Sequence, residues 1–261
     1  MKDHLLKHSC VIDTETTSLN FREAEIIELG FALYDGAWEH HSIYYKPSTP
    51  ISPKVSAVTN IINEDVEDCE SFAICYTDFD DIMEAVGTTS DVLIVAHNAF
   101  YDNSVFKHMY SQSHVLNYDW LCTMRLAKKL FSGDDTVEEY NLPYLRYRFE
   151  LDIPRDMPHH RAGTDAYITA KLFEYLVGVM EDRGLLDQNG PYKDQIIEYV
   201  SEPIIIDRMP FGKHKGKLIK DVPMDYWTWA LNNVDSLQED KDEYDPDFAA
   251  SVAKVLEEKL G

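Results

Sequence analysis

Basic residues, cysteines and long apolar runs are all scarce in this 261-residue chain. Only 24 Lys and Arg face 47 Asp and Glu, a formal net charge of −23. Phosphate affinity comes largely from Lys and Arg, so this balance argues against general, sequence-independent binding to duplex nucleic acid. Any grip on a nucleic acid would have to come from local basic clusters or bound cations. The cysteines (Cys10, Cys69, Cys75, Cys122) form no CxxC pair. Reduced thiols in a cytoplasmic protein are the simplest reading, against a disulfide scaffold or a zinc site. No run of about 18 apolar residues exists, so no membrane span and no membrane partner are expected. The first eight residues lack the apolar core of a signal peptide. Internal repeats and low-complexity tracts are also missing. Hydrophobic residues make up 44% of the chain, enough for a sizeable core.

What is there centres on carboxylates. Ser9-Cys10-Val11-Ile12 reads as a short buried strand that delivers Asp13 and Glu15 at its end. Side chains two apart on a strand share a face, so both carboxylates point to the same side, where hard oxygen ligands suit Mg²⁺ or Mn²⁺. An acid-x-acid pair is weak evidence alone, since Glu23/Glu25, Asp78/Asp80 and Asp240/Asp242 repeat the spacing. Those pairs do not follow an apolar strand. A second apolar run, Val92–Ala96, leads into His97-Asn98-Ala99-Phe100-Tyr101-Asp102. Asp102 then opens a stretch of helical spacing, where a helix cap is its bland role. A third segment, His160-Arg161-Ala162-Gly163-Thr164-Asp165, starts an amphipathic helix marked by Ile168, Leu172, Phe173 and Leu176. A lone His in that place is usually a surface or capping residue.

The three segments in this order resemble the DEDDh exonuclease family, whose ribonuclease-H-like fold is shared with polymerase proofreading subunits. The pattern Asp-x-Glu, a downstream Asp, and His-x-Ala-x-x-Asp is met by Asp13, Glu15, Asp102, His160 and Asp165. The likeness spans roughly residues 9–180. Ile51-Ser52-Pro53, Cys122–Ala127 and Phe211–Lys217 add similarity to the exodeoxyribonuclease X group. Departures stand at Ser18, at Phe100-Tyr101 and at Thr59-Asn60-Ile61, and they bear on the substrate pocket.

The resemblance implies an α/β protein with a mixed sheet flanked by helices. It implies a phosphodiester hydrolase cutting DNA from 3′ ends, single-stranded or duplex, in repair or end processing. Two Mg²⁺ ions per site are implied, with Mn²⁺ able to substitute. Asp13, Glu15, Asp102 and Asp165 would be the metal ligands and His160 the general base. Thr16, Leu19, His97 and Asn98 would face the terminal nucleotide, although Leu19 reads equally well as loop packing and His97 as a backbone anchor. An exoribonuclease and a polymerase-associated proofreading or adaptor module are the alternatives.

Strands are expected near 9–15, 25–35, 38–46 and 92–96, with Gly30 where two backbones approach closely. Helices are expected near 71–86, 102–110, 123–131, 141–149 and 163–181. The catalytic domain is expected over 1–181, a linker with a bridging helix over 182–202, and a small C-terminal domain over 203–261. This last part holds Arg208, Lys213, Lys215, Lys217 and Lys220 against Asp207 alone over 203–220. Phe211, Tyr226, Trp227 and Trp229 lie in or near that island. Lys213, Lys215 and Lys217 are candidate nucleic-acid contacts. A small aromatic core with solvated lysines, or a docking surface for a protein partner, would leave the same sequence trace.

Overall fold

The computed structural model describes residues 1–155, 157, 161–241 and 245–260. It begins with helix α1 (Lys2–Lys7), strands β1 (Ser9–Thr16), β2 (Ile26–Tyr34) and β3 (Trp38–Tyr44), then helices α2 (Pro53–Thr59), α3 (Asn63–Val66) and α4 (Phe72–Val86). Strand β4 (Leu93–Ala96), helix α5 (Phe100–Met109), strand β5 (Asp119–Cys122) and helices α6 (Thr123–Leu130), α7 (Leu142–Arg148) and α8 (Ala162–Asp182) follow. Helices α9 (Tyr192–Ser201), α10 (Met224–Asn233) and α11 (Pro246–Leu260) end the chain. Two compact units emerge, one of residues 1–130 and 134–197, the other of 131–133 and 198–261.

The first unit holds a five-stranded sheet in the order β3-β2-β1-β4-β5. β1 runs antiparallel to β2 and parallel to β4, so the sheet is mixed. Alternation sorts β1 into two faces. Cys10 and Ile12 join Phe72, Phe79, Met83, Val105 and Phe106 in a core under α4 and α5. The other face carries Val11, Asp13 and Glu15, which lie opposite Ala32, Gly30 and Glu28 of β2. Helix α8 crosses this second face and buries Ala166, Ile168, Leu172, Phe173 and Leu176.

That crossing is unusually close. A Cβ on Gly30 would lie 1.9 Å from the Ala162 carbonyl carbon, and one on Gly163 would lie 2.4 Å from Ser42 Oγ. The expected close approach at Gly30 is thus where β2 meets the start of α8. Only residues without side chains let the helix terminus sit on the sheet.

Several expected elements shift. β5 is absent from the sequence-based expectation, because Asp119-Trp120-Leu121-Cys122 has neither length nor clean alternation; its pairing with β4 creates it. Helix α5 starts at Phe100, so Asp102 sits inside its first turn and does not open it. Helix α10 is also unexpected, since Tyr, Trp and Thr crowd its middle and form helices only with tertiary support.

The second unit has its own core. Met209, Ile219, Val222, Trp227, Ala230, Phe248 and Val252 are buried together. Among the described residues, no helix is long and apolar enough to cross a membrane.

Candidate active site

Asp13 and Glu15 stand at the end of β1 on the face that α8 covers, and Asp165 lies in the first turn of α8. One carboxylate oxygen from each falls within 4.8 Å of the others. Three hard oxygen donors at this spacing suit one divalent cation. Asp102, buried on α5, is fixed by the Thr14 hydroxyl, which donates to its Oδ1 at 2.6 Å. Thr14 is the odd member of the Asp-Thr-Glu run, so its side chain leaves β1 on the face opposite Asp13 and Glu15.

The electrostatics show how unfavourable this gathering is without a counter-ion. Burial, then Asp102, Asp165, Glu15 and Glu28, push the Asp13 carboxyl well above the usual carboxylate range. Glu15 is raised to about 8 by burial first, then by Asp165, Glu28 and Asp102, with Arg161 pulling it back. Burial raises Asp102 to about 7, while the Thr14 hydroxyl and two backbone N–H groups oppose the rise. Like charges forced together in a desolvated place favour protons or cations. The donor set therefore fits divalent metal chemistry.

Glu28 escapes the motif-based reading, although an acid inside the apolar run Ile26-Ile27-Glu28-Leu29 is the available signal. It is fully buried and sits directly opposite Glu15 across the strands, an arrangement that is repulsive by itself. Two groups at the start of α8 answer it. The Ala162 N–H donates to Glu28 Oε2 at 3.2 Å, which satisfies one free donor of the helix terminus. Arg161 Nε lies 3.4 Å from the same oxygen, as a charge contact without hydrogen-bond alignment. The guanidinium also rests 5.1 Å from the centre of the Tyr44 ring. Glu28 Oε1 has no partner among the described residues.

An open cleft of about 400 Å³ adjoins the acids. Thr16, Leu19, Lys54, Val55, Val58 and Tyr101 are among its lining residues. Leu19 is 89% exposed, so it is not loop packing and presents its side chain at the cleft. The Tyr101 hydroxyl donates to the Ser18 carbonyl and also meets the Thr16 hydroxyl, which pins the loop after β1. Lys54, Val55 and Val58 carry no sequence signal for this role, because they sit far from Asp13 and Glu15 along the chain and outside the acidic pattern; Tyr101 is one of the departures that the motif comparison ties to the pocket.

His97 and Asn98 do not line this cleft. The His97 ring spans 2.9 Å contacts to the Thr123 hydroxyl and to the Tyr140 carbonyl. A carbonyl only accepts, so Nε2 carries the proton and Nδ1 accepts from Thr123. Burial lowers the His97 pKa to about 4, and the neutral ring ties the end of β4 to two later segments. Asn98 is exposed in a left-handed turn with φ 63°. His160 lies outside the described residues.

Comparison with known proteins fits this geometry. Residues 10–173 match a family model described as an exonuclease. The chain belongs to this exonuclease family. It is an enzyme of phosphodiester hydrolysis, and its mixed sheet is the ribonuclease-H-like fold. Exodeoxyribonuclease 10 of Escherichia coli K12 is 30% identical over 232 residues, covering 87% of this chain and 92% of that protein. The PolC-type DNA polymerase III of Thermotoga maritima is 31% identical over 83% of this chain but only 16% of its own length. A solved structure of exonuclease X with 5′-overhanging duplex DNA superposes with a TM-score of 0.53 at 28% identity, covering 74% of this chain and 99% of that one. Residues 198–233 match a second model, whose description names a quorum-sensing-regulated virulence factor.

Proposed function

We propose that the chain is a metal-dependent 3′→5′ exodeoxyribonuclease that releases nucleoside 5′-monophosphates. The convergence of Asp13, Glu15 and Asp165 within 4.8 Å carries this reading. The DNA preference is supported by the likeness to exodeoxyribonuclease 10 along most of both chains. Asp13, Glu15 and Asp165 would hold one divalent ion, Mg²⁺ or Mn²⁺, and Asp13 with Asp102 a second. Such ions neutralise the scissile phosphate and supply a nucleophile at neutral pH.

The chain's own residues do the rest. Thr14 fixes the Asp102 carboxylate, and Glu28 with Ala162 fixes the start of the helix that carries Asp165. Leu19 and Val58 offer apolar surface to the terminal base, and Lys54 offers a cation to the strand. His160 accepts the proton of the attacking water, a role that suits an imidazole near neutral pH.

The test uses 5′-labelled single-stranded DNA and RNA of one sequence, with Mg²⁺, with Mn²⁺ or with chelator. A ladder shortening from the 3′ end of DNA, abolished by chelator and by Asp165→Ala, is expected. His160→Ala should keep metal binding and lose roughly 10²–10⁴-fold in kcat. Faster loss of RNA would reassign the substrate, and no cleavage of either would sink the enzyme mechanism in favour of an adaptor.

A further inference from the structure

The second unit contains two tryptophans two residues apart on α10 with opposite fates. Trp227 is 1% exposed and packs on Phe248 in the core. Trp229 is 52% exposed. A small aromatic core therefore accounts for Trp227 and not for Trp229. The Trp229 ring lies 5.6 Å, centre to centre, from Tyr226. Tyr226 in turn carries Lys213 Nζ 5.1 Å above its ring and His214 edge-on at 4.7 Å.

The loop that brings Lys213 there is built, not loose. Met209 N–H donates to the Lys217 carbonyl at 2.9 Å, Gly216 N–H to Met209 at 2.8 Å, and Ile219 N–H to Asp207 at 2.8 Å. Gly212 and Gly216 take positive φ values of 73° and 80°, which lets the chain turn back tightly between Met209 and Lys217. Arg208 commits its guanidinium to the Gly216 carbonyl at 2.9 Å. Lys213, Lys215 and Lys217 remain exposed on this rigid turn.

We infer that this turn and Trp229 form a binding site for single-stranded nucleic acid, with phosphates on Lys213, Lys215 and Lys217 and a base stacked on the Trp229 ring. An exposed aromatic face beside a short cationic row is the arrangement that grips a strand without reading its sequence. Charge singles out the occupant. Residues 203–220 hold five Lys and Arg against one Asp, in a chain of net charge −23. A positive island of this kind complements a polyanion. The site is independent of the catalytic reading, since none of its residues belongs to the acid cluster.

The experiment titrates the full chain with oligothymidylate in chelator, where no hydrolysis occurs, and follows binding by anisotropy. Trp229→Ala should weaken binding about 5- to 150-fold, the range for loss of one stacked ring. Lys213→Glu with Lys215→Glu should weaken it further and flatten its salt dependence, by about 0.7 in log–log slope for each phosphate no longer neutralised. Both variants should keep the wild-type melting temperature and the hydrolysis of a small chromogenic phosphodiester. Unchanged oligothymidylate affinity in both variants would overturn the site. So would tighter capture of a polyglutamate peptide than of the oligonucleotide, which would make the turn a protein-docking surface.

Discussion

At the level of single residues, the acids sort by what surrounds them. Asp80 has the same acid-x-acid spacing as Asp13, yet it accepts from Ser113 Oγ and the His114 N–H and serves as a loop anchor. Glu25 is likewise committed to Ser48. The strand context of Asp13 and Glu15 is legible in the sequence, because an apolar run fixes both burial and face. Glu28 is not, because its partners Arg161 and Ala162 lie more than a hundred residues away in sequence. A pH effect follows from the raised carboxyls. Between the ordinary carboxylate range near 4 and the folded values, about 8 for Glu15 and about 7 for Asp102, the folded chain binds more protons than the unfolded one. Rising pH therefore removes stability from the metal-free protein, and the loss is complete above the highest folded value. A divalent ion held by these carboxylates would replace those protons. The rise in Tm on adding Mn²⁺ should be larger at about pH 8.5 than at about pH 5.5, by several degrees, and Asp13→Asn should shrink the difference. Equal shifts at both pH values in calorimetry would contradict it.

Among the elements, the long amphipathic helix α8 and the strand pair β1–β2 are readable from periodicity. Strand β5 and helix α10 are not, since one is created by pairing with β4 and the other by packing of Trp227 on Phe248. The approach of α8 to β2 rests on Gly30. Gly30→Ala should destabilise by at least ~3 kcal/mol, the upper end for overpacking, because the added methyl meets backbone that cannot turn aside. Gly178, further along the same helix, is the matched control. A Cβ there meets only Lys2 Nζ at 3.6 Å, and Gly178→Ala should stabilise by about 0.5–1 kcal/mol through helix propensity. Urea denaturation of both variants would show the opposite signs, and a neutral Gly30→Ala would mean that α8 can lift from the sheet at little cost.

For the whole molecule, charge is the property that the sequence displays most openly and the fold explains least. The net charge of −23 opposes DNA at long range, while Lys54 lines the cleft and Lys213, Lys215 and Lys217 are exposed on the turn of the second unit. Screening at physiological salt limits that repulsion to about 8 Å. Weak retention after each cleavage is nevertheless expected, because few Lys and Arg are available to hold phosphates. With excess unlabelled trap strand added after the first turnover, products should be shortened by one or a few nucleotides per encounter. Long runs of cleavage under trap conditions would show that another grip outweighs the acidic surface. The division between the two units falls inside helix α9, between 197 and 198, a stretch that the sequence marks as a linker with a bridging helix over 182–202.

The clearance between Gly30 and the start of α8 would also bear on which ion a metal site there accepts. Mg²⁺ binds oxygen at about 2.0–2.1 Å and Ca²⁺ at about 2.3–2.6 Å, so a few tenths of an ångström separate them. Two of the three carboxylates ride on the sheet and the third on the helix. The size of a coordination cage here would thus be gauged by the contact of Gly30 with the Ala162 backbone and of Gly163 with Ser42. Selectivity for the smaller cation would be a property of two missing methyl groups as much as of the carboxylates that touch it.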